Sequence, residues 1–403
     1  MELQCEVQTY EWGKLGLDSK VAVLHKLSNP TFEVGEDTPY AELWMGTHRN
    51  APSRVKETGE LLSAVIETKP EYLGESVRLM FGNELPFLLK ILSINKALSI
   101  QAHPSKEIAR ELHKSNPEVY KNPNHKPEFA IALTPFEALC GFRPIAEIKE
   151  FMKNIRELRA IVGVDISEKF ILSDAANEKD MLKTCFRSLM LCPQDVVSAQ
   201  LKQLLFKFSG RDEKTREEQM APLLERLYSQ FPDDIGCFVV YFLNYVVLQP
   251  NEAIYLGANE PHAYLSGDCV ECMACSDNIV RAGLTPKYKD VETLCRILTY
   301  QTKPAREQLL RPTVEDAYCQ AFKPPVPDFA VIKIEVPAAV GDYTLKPRQS
   351  ASVLIVIGGG GRMGSTRLKA GTVVFIPANE KYEIVDITQD ILMFQAMANV
   401  DMF

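Results

Sequence analysis

The 403-residue sequence lacks the features of membrane proteins, secreted proteins and general nucleic-acid binders. No stretch approaches the roughly 20 apolar residues that cross a bilayer. The opening residues, MELQCEVQTYEWGKLG, contain no basic start followed by an apolar run, so they predict no signal peptide. The formal net charge is −8, whereas proteins that bind nucleic acids or membrane surfaces in general need a basic surface. We therefore expect a cytoplasmic protein with neither partner, in which any anionic ligand would need a local basic pocket.

Histidine is scarce, and the ten cysteines form no clear metal or disulfide pattern. The cysteines are scattered, which favours reduced thiols over a disulfide framework. Cys269, Cys272 and Cys275 have the spacing of an iron–sulfur or zinc run, but no fourth cysteine follows at a suitable distance. A period of three also places them on different faces of a strand. We expect reduced cysteines in the core.

A chain of this length predicts two or three domains. Residues 1 to about 143 contain short segments with β character, separated by Pro, Gly and Asn, and one helix is expected within them. Residues of about 145 to 235 have helical periodicity, with a polar loop inside the block. From about residue 238 the pattern is again that of strands. The segments behind these expectations are VAVLHKL, LPFLLKILSI and KPEFAIAL as strands, SKEIARELHK as the helix and SGRDEKTREEQ as the loop.

Two segments of the β regions resemble each other, which indicates an internal duplication. LQPNEAIYLGANEPHAYL begins at Leu248 and LKAGTVVFIPANEKYEI begins at Leu368, and both contain Ala-Asn-Glu within the same apolar pattern. His262 of the first copy is opposite Tyr382 of the second. If both copies are β-sandwiches of one type, only the first keeps this possible metal ligand, which predicts one metal site per chain. The run GGGG before the second copy favours a tight turn rather than a phosphate loop.

Polar pairs on two predicted strands are the main candidates for chemistry. In LSIQAHPSK, Ser99, Gln101 and His103 share one face of an alternating strand. In NHKPEFAIAL, Lys126 and Glu128 share a face with small residues. These sets could equally be a solvated strand face and a salt-bridged carboxylate. If they converge with His262, two imidazoles, a carboxylate and an amide oxygen form a site suited to Zn²⁺, with Fe²⁺, Mn²⁺ or Co²⁺ as alternatives.

Other polar residues are weaker candidates on the sequence alone. His25 in an apolar strand and His113 on the polar side of a helix are expected to be structural or solvated. His48 follows Trp44 and Met45 and could line a cleft or sit in the core. A mixed charge cluster follows His262, and it would share a pocket with a metal or form a solvated, self-compensating loop; its members are Glu271, Asp277, Arg281 and Lys287.

Five long segments together resemble the type I mannose-6-phosphate isomerases, also called phosphomannose isomerases. The resemblance extends over essentially the whole chain, and the segments occur in the family's order. They are YEWGKLG at 10–16, PYAELWMGTH at 39–48, LPFLLKILSINKALSIQAHP at 85–104, NHKPEFAIALTPFEALCGFRP at 124–144 and ANEPHAYLSGDCVECMACSDNIVRAGLTPK at 258–287.

The resemblance implies a mainly β fold of the cupin type with an α-helical domain. A catalytic jelly roll formed by residues 1–144 and 238–320 would be interrupted by a helical domain at 145–237 and followed by a metal-free jelly roll at 321–403. The implied zinc ligands, one ion per chain, are Gln101, His103, Glu128 and His262. Arg281 is the implied catalytic residue. The implied sugar-phosphate contacts are Lys90, Ser99, Lys126, Asp277 and Lys287.

The implied reaction interconverts mannose 6-phosphate and fructose 6-phosphate through an enediol-type proton transfer, and it would feed GDP-mannose synthesis and mannose use. The proton-transferring group is left open among Glu271, Asp277, His48 and a zinc-bound water. A monomer is expected, with a small-molecule sugar phosphate as its partner. The competing interpretation is a metal-bearing cupin that only binds sugar, or another cupin enzyme such as an iron oxygenase with two His and one carboxylate.

Overall fold

The computed structural model describes residues 1–403 as two β units and one helical domain. The strands are β1 (Glu2–Gln4), β2 (Glu6–Gln8), β3 (Lys14–Leu15), β4 (Pro39–Tyr40), β5 (Glu42–Met45), β6 (Arg54–Val55), β7 (Phe87–Ile94), β8 (Ile100–Ala102), β9 (Glu128–Ala132), β10 (Phe136–Phe142), β11 (Leu243–Leu248), β12 (Ala253–Leu256), β13 (His262–Ala274), β14 (Val280–Gly283), β15 (Thr313–Val314), β16 (Cys319–Phe322), β17 (Ala330–Val336), β18 (Tyr343–Leu345), β19 (Ser352–Met363), β20 (Thr366–Lys369), β21 (Val373–Ile376) and β22 (Tyr382–Met397).

The helices are concentrated between β10 and β11. They are α1 (Lys20–Ser28), α2 (Leu62–Thr68), α3 (Glu75–Phe81), α4 (Lys106–Ser115), α5 (Ile145–Asn154), α6 (Arg156–Val162), α7 (Val164–Leu172), α8 (Glu178–Met190), α9 (Gln194–Ser209), α10 (Glu213–Glu218), α11 (Ala221–Gln230), α12 (Gly236–Val239) and α13 (Val291–Ile297). None of them has the length and apolar character needed to span a membrane.

One long strand, β13, joins the two sheets of the first β unit. Its first residues pair with β10 and β8, and the residues from Gly267 onward pair with β7 and β9. At the change of partners Gly267 has φ of 105°, and a Cβ there would lie 2.4 Å from the Pro135 carbonyl oxygen. One sheet therefore has the order β2-β5-β7-β13-β9-β12 and the other β11-β10-β13-β8-β14. This is the expected jelly roll, with an interior between the two sheets.

The second β unit is a single sheet network around β22. Its strand order is β15-β16-β17-β22-β19-β21-β1-β6, with β18 and β20 paired at its side. Two strands from the start of the chain, β1 and β6, complete it, because Glu2 pairs with Val374 and Leu3 with Val55. The strands β15 and β16 also belong to this sheet, so it begins before residue 321, where the sequence placed the domain boundary.

Both faces of each sheet of the first unit are covered, and this explains why their strands are largely apolar. The helical domain packs against the outer face of the β8–β14 sheet, where Ile100, Ala102 and Val280 join its core. On the other sheet Phe129 and Ile131 of β9 pack toward the second β unit, while Glu128 and its alternate neighbours face inward. The predicted alternation along β9 is confirmed.

Three local expectations about secondary structure are wrong. VAVLHKL forms helix α1 rather than a strand, because the Ser19 hydroxyl accepts a hydrogen bond from the Ala22 amide at 3.3 Å and caps the first turn. His25 is accordingly on a helix. Part of the polar stretch SGRDEKTREEQ forms α10, capped in the same way by Asp212. The first 143 residues also contain α2 and α3 in addition to the predicted helix α4.

The run Gly358–Gly361 is inside strand β19, not in a turn. The pairing of β19 with β22 shifts register repeatedly along this run, which is the behaviour of β-bulges. Gly359 has φ of 82°, and a Cβ there would lie 2.2 Å from the Asp390 carbonyl oxygen. The turn itself comes later, at Gly364. The run thus allows close approach of two strands, and the phosphate-loop alternative is excluded.

The duplication inferred from the sequence has a matching backbone in both copies. β12 (Ala253–Leu256) corresponds to β21 (Val373–Ile376), and β13 and β22 begin at the aligned residues His262 and Tyr382. The shared asparagines, Asn259 and Asn379, have φ of 62° and 64°, a left-handed conformation that asparagine tolerates well. The repeated tripeptide therefore encodes one strand–turn–strand geometry.

The glycine run gives a test of its packing role. Gly359→Ala should lower the free energy of unfolding by at least about 2 kcal/mol, because it adds left-handed strain and a backbone clash. Gly358→Ala is the matched control, since a Cβ at Gly358 meets nothing within 4 Å. Urea denaturation measures both variants; equal stability of the two would contradict this account of the bulge.

Candidate metal centre and cleft

Three buried ligand-type side chains meet between the two sheets of the first unit. The ligand atoms of His103, Glu128 and His262 all lie within 4.8 Å of one another. Glu128 Oε1 is 3.2 Å from His103 Nε2, and Glu128 Oε2 is 3.3 Å from His262 Nε2. This is the only such group of three His, Cys, Asp or Glu residues in the chain. The polar face of LSIQAHPSK and the carboxylate of NHKPEFAIAL therefore converge.

Backbone carbonyls orient both imidazoles toward this point. His103 Nδ1 donates to the Asn278 carbonyl oxygen at 2.7 Å, and His262 Nδ1 donates to the Glu260 carbonyl oxygen at 3.0 Å. Each Nε2 then points into the site, where it is placed to act as a metal ligand. Burial lowers the pKa of His103 to about 4, which keeps that ring neutral near pH 7.

Strand register places Gln101 beside these ligands. Gln101 pairs with His262 of β13 on one side and with Arg281 of β14 on the other. Its amide nitrogen lies 3.5 Å from His103 Nε2, and its oxygen accepts a hydrogen bond from the Ser99 hydroxyl at 3.4 Å. A half-turn of the amide places the oxygen on the side of His103, where it can act as a fourth ligand.

Glu128 is ionised despite its burial. Burial opposes ionisation, but Lys126, with Nζ 2.8 Å from Oε1, holds the pKa of Glu128 well below its usual range. The carboxylate is thus available as an anionic ligand.

The donor set fits a zinc ion. Two neutral imidazole nitrogens, a carboxylate oxygen and an amide oxygen are ligands that Zn²⁺ accepts. The Nε2 atom of His262 is buried and has no hydrogen-bond partner in the protein. Buried polar atoms in proteins are nearly always satisfied, so this nitrogen indicates a ligand that the protein alone does not provide.

A cleft of about 630 Å³ opens onto this centre, and a buried charge network lines it. Lys90 Nζ lies 3.1 Å from Glu271 Oε2 and 3.5 Å from Glu42 Oε2. It also lies 4.8 Å from the centre of the Trp44 ring, whose indole nitrogen donates to Glu42. Burial raises the pKa of Glu271 to about 7, against the opposing effect of Lys90.

Three cations that line the cleft have no acidic partner, and one of them, Lys96, lies over the Phe231 ring with Nζ 4.6 Å from its centre. Arg281 and Lys287 make no ion pair, and no side-chain hydrogen bond fixes either of them. Both also line an adjoining pocket of about 560 Å³. Burial lowers the pKa of Arg281 from its usual value, although a guanidinium stays protonated in proteins. Because the whole chain carries −8, these two groups form the local basic site that an anionic ligand requires.

Among the residues expected to contact substrate, four line this cleft and one does not. Lys90, Ser99, Lys126 and Lys287 line the cleft. Asp277 does not; it lies in the adjoining pockets, where its Oδ1 is 3.4 Å from His48 Nε2. The Asp277–His48 pair is therefore beside the cleft, and Asp277 shares the adjoining pocket with Arg281 and Lys287; its contact with substrate stays a prediction.

The remaining candidate histidines and cysteines have structural surroundings. His113 Nδ1 donates to the Tyr120 carbonyl oxygen at 2.7 Å. Cys269 and Cys272 are buried in different hydrophobic clusters, and burial raises the pKa of both thiols. All ten cysteines are free. Cys269 and Cys272 are therefore core cysteines as expected, whereas Cys275 is only partly buried.

Several lining residues were not identified from the sequence, among them Glu42, Tyr264 and Trp12. Glu42 and Tyr264 are buried, and the Tyr264 hydroxyl has no hydrogen-bond partner. Trp12 lies in the same wall. A strand-face argument could have found the first two, because Glu42 alternates with Trp44 and Tyr264 alternates with His262. No local pattern marks Trp12.

The two β units, the helical insertion and the centre between the sheets define a cupin-type protein. Three family profiles match the chain: the catalytic domain of type I phosphomannose isomerase over residues 1–145, its helical insertion domain over 161–243 and its C-terminal region over 322–363. The chain belongs to the type I phosphomannose isomerase family, and it is an isomerase.

Individual relatives agree with this assignment. Mannose-6-phosphate isomerase of Bos taurus is 45% identical over 411 residues, which covers 98% of this chain and 97% of the relative. A variant of phosphomannose isomerase from Salmonella typhimurium has a TM-score of 0.83 at 32% identity, with 98% and 99% of the two chains covered. A mannose 6-phosphate isomerase bound with zinc and yttrium has a TM-score of 0.81 at 33% identity, with 98% of each chain covered.

The convergence of the three ligands predicts the metal content of variants. His262→Ala should reduce bound metal from about one ion per chain to near zero, because it removes one of only two imidazole nitrogens and leaves a single nitrogen ligand beside the oxygen donors. His113→Ala is the control, since His113 bonds only to a carbonyl oxygen. Elemental analysis of the purified proteins measures both. Full metal content in His262→Ala would contradict the site.

Proposed function

We propose that this chain, as a mannose-6-phosphate isomerase, interconverts mannose 6-phosphate and fructose 6-phosphate in a zinc-dependent reaction. The observation that carries the proposal is the convergence of His103, Glu128 and His262 at a cleft that also contains cations without an acidic partner, among them Arg281 and Lys287. An ion at this centre would stabilise negative charge on the sugar oxygens, and the cations would bind the phosphate of a sugar phosphate.

Gln101, His103, Glu128 and His262 would hold the zinc. When bound, zinc supplies Lewis-acid stabilisation of negative charge on sugar oxygens, an effect worth several kcal/mol. With one carboxylate and three neutral ligands, the centre keeps a net positive charge. That charge suits a reaction in which oxygen becomes negative.

We assign the proton transfer to Glu271. Moving a carbonyl between C1 and C2 of an open-chain sugar requires a group that removes a proton beside the carbonyl and returns it to the neighbouring carbon. Glu271 lines the cleft, is buried and has a pKa of about 7, so it can accept and release a proton near neutral pH. Asp277 and His48 contact each other outside the metal-facing wall, which makes them weaker candidates.

The cations divide into two groups. Lys90 and Lys126 are each held by buried carboxylates, so we assign them to orienting Glu271 and Glu128 and to contacting sugar hydroxyls. Arg281 and Lys287 are free to bind the ligand. We assign Arg281 to the developing oxyanion and Lys287, with Ser99, to the phosphate, since a guanidinium and an ammonium suit these roles.

We extend the proposal to the cellular role. The reaction would supply mannose 6-phosphate for GDP-mannose synthesis and allow mannose to be used. A cytoplasmic location is supported by the ten free cysteines. The net charge of −8 supports a small-molecule partner rather than nucleic acid or a membrane, and we propose that the chain acts as a monomer.

A coupled assay of fructose 6-phosphate formation from mannose 6-phosphate, combined with elemental analysis, tests the proposal. We expect turnover together with zinc near one per chain, and loss of turnover after complete removal of metal by a chelator. Zinc without turnover would favour a sugar-binding cupin, and turnover without any metal would contradict the zinc-dependent reaction.

Arg281→Ala should lower kcat by roughly 10²–10³-fold with normal zinc content, the scale of losing one preorganised donor to a developing charge. Arg296→Ala is the control, because Arg296 is an exposed arginine that lies 3.8 Å from Glu111. Steady-state kinetics and elemental analysis of both variants measure the effect. Loss of zinc in Arg281→Ala would show that the residue supports the metal centre instead.

The assignment of Glu271 predicts a pH profile. A base must be ionised, so kcat should fall as the pH drops below about 7, approaching tenfold per pH unit. Glu271→Gln should lower kcat by at least about 10²-fold and abolish this acidic limb, since glutamine does not titrate. Measurement of kcat from pH 5 to pH 9 in both proteins tests this. An unchanged limb in the variant would assign the proton transfer to another group.

A further inference from the structure

One carboxylate of the helical domain binds the loop that follows the Arg281 strand. Asp234 lies between α11 and α12 and is largely buried. Its Oδ1 accepts hydrogen bonds from the amides of Gly236 and Leu284, both at 2.7 Å, and its Oδ2 accepts one from the Thr285 amide at 3.3 Å. Two of the three donors belong to the catalytic β unit, so the side chain joins two parts of the fold.

The backbone at this contact has a conformation that needs support. Leu284 is buried and has φ of 50°, the left-handed region that a leucine rarely adopts. Such strain persists only where surrounding interactions determine it. The carboxylate of Asp234 supplies these interactions through the amides of Leu284 itself and of the next residue.

The two chain segments also touch directly, and only glycine allows this. A Cβ on Gly236 would lie 2.5 Å from the Leu284 nitrogen, and a Cβ on Gly283 would lie 2.6 Å from the Gly236 Cα. The close approach brings the Asp234 side chain within reach of the loop.

This loop connects Arg281 and Lys287, two of the cleft cations that have no acidic partner. Arg281 is on β14, which ends at Gly283, and the Lys287 amide donates to the Thr285 hydroxyl at 3.1 Å. Neither cation has an acidic partner to hold its side chain. Their positions therefore depend on the backbone that carries them, and Asp234 anchors that backbone between the two residues.

The same end of the helical domain contacts the opposite wall of the cleft. The Gln230 side-chain oxygen accepts a hydrogen bond from the Ala97 amide at 3.0 Å, and Lys96 Nζ lies 4.6 Å from the centre of the Phe231 ring. Phe231 itself lines the cleft. Residues 230–236 thus contact both chain segments that border the entrance.

We propose that Asp234 is a positioning residue for the isomerase reaction: by binding the amides of Leu284 and Thr285, it holds Arg281 and Lys287 in the geometry that the sugar phosphate requires. The inference rests on the proposed function, because it concerns the two cations assigned there to the substrate. In this proposal the inserted helical domain contributes to catalysis by positioning Arg281 and Lys287, and none of its acidic groups contacts the substrate.

Asp234→Ala and Asp234→Asn separate this role from general stability. The alanine variant leaves two loop amides without their acceptor, so we expect kcat/KM to fall about 10²-fold, with contributions from both KM and kcat, as a small misplacement of a binding group can cause. The asparagine variant keeps an oxygen acceptor and should stay within about tenfold of the parent. Zinc content should remain near one per chain in both.

Asp233→Asn is the matched control. Asp233 precedes Asp234 and bonds to Ser198 and Tyr228 within the helical domain, without contact to the loop. It has φ of 62°, which asparagine tolerates. This variant changes the same charge in the same segment, so kcat/KM should equal that of the parent.

A double-mutant cycle with Arg281→Ala completes the test. If Asp234 acts through both Arg281 and Lys287, Asp234→Ala should cost only about tenfold in the Arg281→Ala background, the part that passes through Lys287, compared with about 10²-fold in the parent. Hydrogen exchange should also increase in peptides that contain residues 284–285. Equal costs in both backgrounds, or parent-like kinetics of Asp234→Ala, would overturn the inference. Absence of turnover in the parent would instead contradict the proposed function. Hydrogen exchange at residues 284–285 would then still test whether Asp234 holds the loop.

Discussion

The backbone pairing of the bent strand β13 is the constraint on which the site depends. His262, Tyr264 and Glu271 are on this strand, and the other functional residues are placed by strands that pair with it. Gln101 is in register with His262, and Lys90 is in register with Glu271. Because the strand changes sheets at Gly267, it brings residues of both sheets to one interior. A shift of register by one residue would turn these side chains toward the apolar packing on the outer faces.

Charge compensation inside the jelly roll explains which groups are free to bind a ligand. Buried carboxylates are costly unless they are paired, and each of the three in the cleft has a cationic or imidazole neighbour: Lys90 for Glu42 and Glu271, and Lys126 with two histidines for Glu128. Of the cations left without acidic partners, Lys287 is exposed at the rim, and Arg281 is half-buried beside Gln101. The polarity of the cleft therefore changes from a neutralised interior to a positive rim, which suits a ligand with a neutral reacting end and an anionic end.

The sequence predicted the parts of the site that follow from local periodicity. The alternation in LSIQAHPSK and in KPEFAIAL assigned Gln101 and Glu128 to strand faces, and the resemblance to a family supplied their convergence. The prediction from the sequence was wrong for VAVLHKL, because a serine cap outweighed the β-branched composition. It was also wrong for the glycine run, because the close packing of two strands determines the backbone there. The hydrogen bonds of Asp234 to the loop could not be predicted from local sequence patterns, because its partners are backbone amides about fifty residues away.

In the second β unit, the repeated motif keeps the asparagine that its backbone turn uses but lacks the histidine that could bind a metal. Asn259 and Asn379 have the same left-handed turn, so the tripeptide is explained by backbone geometry in both copies. His262 has a different constraint: in the first copy it faces the interior, whereas its counterpart Tyr382 is part of a sheet with no cluster of ligand residues. The second unit instead covers the outer face of the first, where Phe322 and Phe329 pack on Phe129, next in sequence to Glu128. One copy thus holds the candidate metal ligands, and the other buries the apolar side of the strand that carries one of them.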